Sequence, residues 1–90
     1  MNTPELQLHN VMEDLVVDWM EKVLKDFSCC KCEKCQFDIM ALSLNKLRPH
    51  YVVTRNLYSK TKYLDQLLQS DIMTAVVTSV DYVSTNPRHD

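Results

Sequence analysis

The chain contains no glycine. That absence removes whole families of fold. A Gly-rich phosphate loop of the P-loop or dinucleotide type needs backbone that only glycine supplies, so neither can be built here. Asn-Gly hairpins are excluded for the same reason. Helices need no glycine, so the absence leans towards an α fold. Apolar residues make up 46% and charged residues 24%, which is enough apolar surface for a packed core rather than disorder. With 90 residues the expectation is one domain spanning 1–90. A core of that size is marginal by itself, so a metal staple or a partner subunit is expected.

Hydrophobic periodicity divides the chain into three helical segments. In the first, Leu8, Val11, Met12, Leu15, Val16, Trp19, Met20, Val23, Leu24 and Phe27 recur at gaps of three and one, opposite a charged face. Two starts compete: Thr3 as cap with Pro4 at the first helical position, or Asn10 as cap with Glu13 three residues on. At least Asn10 to Asp26 is expected to be helical, with Trp19 in the core. The second helix is expected from Gln36 to Leu47, burying Phe37, Met40, Ala41, Leu44 and Leu47, and ending before Pro49. Tyr51-Val52-Val53-Thr54 is β-prone and predicts a short strand or extended link. The third helix is expected from about Thr61 to Ser84. Its β-branched run from Ile72 to Val83 would also suit a strand, but strict alternation fails at Ala75-Val76-Val77. Val17, Met73, Val77 and Tyr82 fall off the main stripes. A homodimer interface accounts for them; a wider core stripe is the plainer reading.

Between the first two helices, residues Ser28 to Cys35 break the pattern and read as a loop. They carry all four cysteines, Cys29, Cys30, Cys32 and Cys35. Cys32 and Cys35 form a Cys-x-x-Cys chelate, the usual half of a tetrahedral zinc site. Cys29 and Cys30 are adjacent and reach the same ion only where the backbone bends. Four thiolates leave no open position, so one structural Zn²⁺ per chain is expected rather than a catalytic ion. Disulfides, an iron–sulfur cluster, or three of these sulfurs with His9, His50 or Asp38 are the competing readings.

Ten Lys and Arg stand against twelve Asp and Glu. Four ionised thiols holding one Zn²⁺ would make the surface more acidic still, so direct nucleic-acid binding is not expected. The beginning, Met1-Asn2-Thr3-Pro4-Glu5, has neither the basic flank nor the apolar run of a signal peptide. No stretch has the length of a membrane span. A cytoplasmic protein with reduced thiols is the expectation, without membrane insertion. Arg48, His50, Tyr51 and Arg55 gather two guanidinium groups and an aromatic ring, which suits an anionic ligand. A solvated turn is the plainer reading there. Nothing in the order of residues points to a catalytic group. Asp18 and Glu21 read as solvated face.

These residues together resemble the late-competence ComFB family of bacteria, from Asn10 to His89. The resemblance is carried by Asn10-Val11-Met12-Glu13, by Cys30-Lys31-Cys32-Glu33-Lys34-Cys35, and by the run from Gln36 to Leu47 that continues to Pro49 and Tyr51-Val52-Val53-Thr54. It implies a helical, non-enzymatic homodimer whose cysteines hold zinc, acting as an accessory or regulatory module. It also implies association with competence machinery for DNA uptake. Similar proteins in cyanobacteria are receptors for cyclic dinucleotides, which adds weight to Arg48, His50, Tyr51 and Arg55 as a ligand region.

Overall fold

The computed structural model describes residues 5–27 and 31–86. The elements are β1 (Gln7–Asn10), α1 (Val11–Leu24), α2 (Glu33–Lys46), β2 (Tyr51–Thr54) and α3 (Leu57–Thr85). The fold is mainly helical, with three helices among the described residues. Both α1 and α2 pack on α3.

Asn10 decides where α1 begins. Its backbone is extended and its side chain accepts a hydrogen bond from the Met12 N–H at 3.2 Å. A cap of this kind satisfies a donor that the first helical turn would otherwise leave open. Thr3 and Pro4, the earlier cap considered, lie outside the described residues; Gln7 to Asn10 are not helical but pair antiparallel with β2, Leu8 opposite Val53 and Asn10 opposite Tyr51. Leu8 therefore leaves the helical stripe for an exposed ribbon face. The Asn10 carboxamide also accepts from the His50 N–H at 2.9 Å, and the Val11 N–H donates to the His50 carbonyl at 2.8 Å. The start of α1 is thus tied to the link that follows α2.

α2 begins three residues earlier than expected and brings Cys35 inside its first turn. Cys32 is the extended N-cap residue and Glu33 favours the positive end of the helix. The turn is tied down by the Gln36 amide group, which donates to the Lys31 carbonyl at 2.7 Å. The buried face also differs from the expected one. Cys35, Ile39 and Ser43, at i, i+4 and i+8, are buried, whereas Phe37 is 58% exposed and Ala41 is exposed. Met40, Leu44 and Leu47 flank the core half-buried. A cysteine and a serine on the packing face hide it from a reading based on large apolar residues.

α3 starts at Leu57 because Asn56 caps it, its side chain accepting from the Ser59 N–H at 3.3 Å. The β-branched run is helical. Ile72, Ala75, Val76, Ser79, Val80 and Val83 form its buried stripe against α1 and α2. The Ser79 hydroxyl donates back to the Ala75 carbonyl at 2.7 Å, a bond that suits serine within a helix. From Leu57 to Asp71 no residue is fully buried. At about 1.5 Å per residue the helix is ~43 Å long, which sets the long axis of a 50 × 27 × 21 Å molecule. Its first half is an arm that touches the core only on one face, through the half-buried Leu64 and Leu68. Trp19 is half-buried at the base of that arm, its Nε1–H donating to Asp65 at 2.8 Å with Lys22 over the ring. The described backbone has no residue at positive φ and no cis peptide bond.

Candidate metal centre and anion cleft

Of the four predicted zinc ligands, Cys29 and Cys30 lie outside the described residues. The other two open α2: Cys32 is its N-cap, exposed, and Cys35 is the third helical residue, fully buried. N-cap and third-residue side chains are the pair that meet in a capping box, so this spacing sets both thiols on one side of the helix start. The backbone N–H groups and dipole there favour thiolates. A thiolate at the buried Cys35 position would be costly without a cation, and zinc supplies one. On this count the two cysteines fit half of a zinc site. No group of three or more His, Cys, Asp or Glu that could hold a metal occurs among the described residues. The outside ligands considered above are occupied elsewhere: Asp38 accepts from Lys34 at 2.7 Å and His9 pairs with Asp14 at 2.7 Å. His50 faces a different site.

That second site is a cleft of about 440 Å³ between the end of α2 and the middle of α3. Arg48 and His50 line it from the link, held in place by the His50 bonds to Asn10 and Val11. Lys46 joins them from the last turn of α2, its ammonium within 3.3 Å of the Ser79 hydroxyl. Asp71, Thr74 and Thr78 close the far wall. Three side chains that are or become cationic thus share one concavity with two hydroxyls and one carboxylate. Tyr51 and Arg55 do not line it; both are exposed on and after β2. Of the residues grouped from the sequence, Arg48 and His50 line one cleft; Lys46 and the polar wall of α3 were not among them. The signal for that wall was present: positions 71, 74 and 78 follow helical spacing beside the buried stripe.

Asp18, on the exposed face of α1, has its carboxyl raised above the usual range. Partial burial is the first cause, followed by the nearby Glu21 and Asp14, with Lys22 opposing. No helix among the described residues is long and apolar enough to cross a membrane.

A glycine-free bundle of three helices, with a two-stranded ribbon and a cysteine-capped second helix, defines the class to which this chain belongs. The family model for the late competence development protein ComFB matches residues 9–87. The competence protein ComFB of Bacillus subtilis (strain 168) is 32% identical over 79 residues, covering 86% of this chain and 78% of that one. The solved structure of the late competence protein ComFB from Bacillus subtilis superposes with a TM-score of 0.75 at 28% identity, covering 91% of this chain and 93% of that one. The chain belongs to the ComFB family.

Proposed function

We propose that this protein is a non-enzymatic, zinc-stapled homodimer, one domain over 1–90, that serves as a cytoplasmic interaction or regulatory module of late competence and DNA uptake. The observation that carries the metal half of this reading is the placement of Cys32 and Cys35 at the cap and in the first turn of α2. Cys29 and Cys30 supply the other two thiolates. One Zn²⁺ then cross-links the end of α1 to the start of α2, which fixes the angle between them. The chain's own residues complete the job: Gln36 holds the turn at Lys31, and the buried Cys35 anchors the ion against the core.

The arm of α3 supports the dimer. One face of it, at Leu64 and Leu68, packs on the core, while Tyr58, Tyr63 and Leu67 are exposed on the rest. Large apolar side chains left open in this way are the surface a second copy would cover. Native mass spectrometry tests both halves at once. The expected result is a mass of two chains with one zinc per chain. A metal-free monomer would overturn the reading.

A second reading is favoured by the cleft. Lys46, Arg48 and His50 converge there, so it receives an anionic ligand, with a cyclic dinucleotide as the family-based candidate. Calorimetry with cyclic di-AMP and cyclic di-GMP is the test. Saturable heat is expected to vanish in Arg48→Ala and persist in Arg55→Ala, because only Arg48 lines the cleft. Double-stranded DNA is expected not to bind even at about 50 mM salt, where phosphate contacts are strongest.

A further inference from the structure

A second concavity lies between α1 and α2, and it shares no lining residue with the anion cleft. Here α1 and α2 diverge and leave a groove of about 250 Å³. Met20 and Met40 lie in it, Val17 and Phe37 form its lips, and Glu21 and Glu33 stand at its rims. Among the described residues no Lys or Arg lines it. Val17 and Phe37 are exposed although both are large and apolar. Val17 is ringed on its helix by Asp14, Asp18 and Glu21, at i−3, i+1 and i+4. Partial burial, and then the neighbouring Glu21 and Asp14, raise the Asp18 carboxyl.

We propose that this groove docks an amphipathic helix of a partner protein whose apolar anchors are flanked by Lys or Arg. An apolar floor with methionines that re-pack suits a helix laid lengthwise, and the floor contributes affinity through burial. The acidic rims select the charge of the flanks. A nucleic acid or an anionic lipid surface is repelled by the same rims. A second copy joined through this face about a two-fold axis would set carboxylates against carboxylates, because such a contact meets itself. The proposal deepens the interaction-module reading above and rests on it. Native mass spectrometry, described there, reports separately on the metal and the subunit count.

The test is a titration of the ¹⁵N-labelled, metal-loaded full chain with two probe peptides. One is a helical Leu/Lys peptide; the other has the same Leu pattern with Glu in place of Lys. The expected result is saturable shifts at Val17, Met20, Phe37 and Met40 with the Leu/Lys peptide only. Val17→Ser with Phe37→Ala, both at exposed positions, is expected to weaken binding about tenfold or more, equivalent to ~1.4 kcal/mol or above. Glu21→Lys with Glu33→Lys is expected to transfer the preference to the Leu/Glu peptide. Shifts that map elsewhere, or equal binding of both peptides, would overturn the proposal. So would a changed subunit count in the Val17→Ser, Phe37→Ala protein, because the groove would then hold the protein's own second copy.

Discussion

At the scale of single residues, Asn10 carries more than its size suggests. One carboxamide oxygen accepts from both Met12 and His50, so it caps α1 and pins the link beyond α2. Asn10→Ala is expected to cost about 1–2 kcal/mol, a fall in Tm on the order of 10 °C. Asn10→Asp keeps an acceptor and should stay close to the parent in the same melting experiment. Ser43 is the opposite case. Its hydroxyl is fully buried and has no hydrogen-bond partner among the described residues. Ser43→Ala is expected to stabilise the fold by about 1 kcal/mol in denaturant titrations, because it removes an unmet polar group at almost no loss of volume. Asp18 gives a pH-dependent case. Its carboxyl titrates higher in the folded chain than in the unfolded one, so the fold takes up a proton more readily than the unfolded chain does. Stability therefore falls as pH rises through the carboxylate range. Asp18→Asn should be slightly more stable than the parent at neutral pH, and the difference should shrink as acid protonates the parent. Parallel melts at neutral and mildly acidic pH measure it.

At the scale of elements, the start of α2 is where the proposed metal would meet the fold. If zinc cross-links α1 to α2 as proposed, chelating it from the reduced protein is expected to lower Tm sharply, because the cross-link would be lost and Cys35 would be left buried without an ion. Cys32→Ser or Cys35→Ser should lower zinc content below one per chain by atomic absorption. The same element shows how far the sequence could be read. The period of large apolar residues located all three helices, and Asn10 was legible as a cap because its chemistry is local. β1 was not legible, since a four-residue strand is defined by its partner 41 to 47 residues away and Leu8 mimicked one more turn of the helix. The packing face of α2 was misread because Cys35 had been assigned to the loop before the helix and Ser43 does not register as core by hydropathy. The candidate site divides in the same way. The Cys-x-x-Cys spacing is a contiguous motif, but it was read as loop, whereas Cys32 caps α2 and Cys35 lies in its first turn. The cleft is assembled from Lys46, Arg48, His50 and α3, so only its contiguous members could be anticipated.

At the scale of the whole molecule, charge is distributed unevenly. Between Asp38 and Asp65 the chain has five Lys and Arg and no carboxylate, whereas α1 and its groove are acidic. The arm of α3 carries Lys60 and Lys62 beside Tyr58, Tyr63 and Leu67. Tyr63→Lys with Leu67→Lys adds charge to the surface assigned to the dimer. Sedimentation is expected to show a shift from dimer to monomer, with helicity of the core retained by circular dichroism. α3 is one unbroken helix from Leu57 to Thr85, without proline or glycine to act as a joint. The exposed end and the embedded end therefore form one lever, with Trp19 at Asp65 as its fulcrum. A push that a neighbour applies near Tyr58 turns about that point towards Thr74 and Thr78, where the cationic cleft has its far bank.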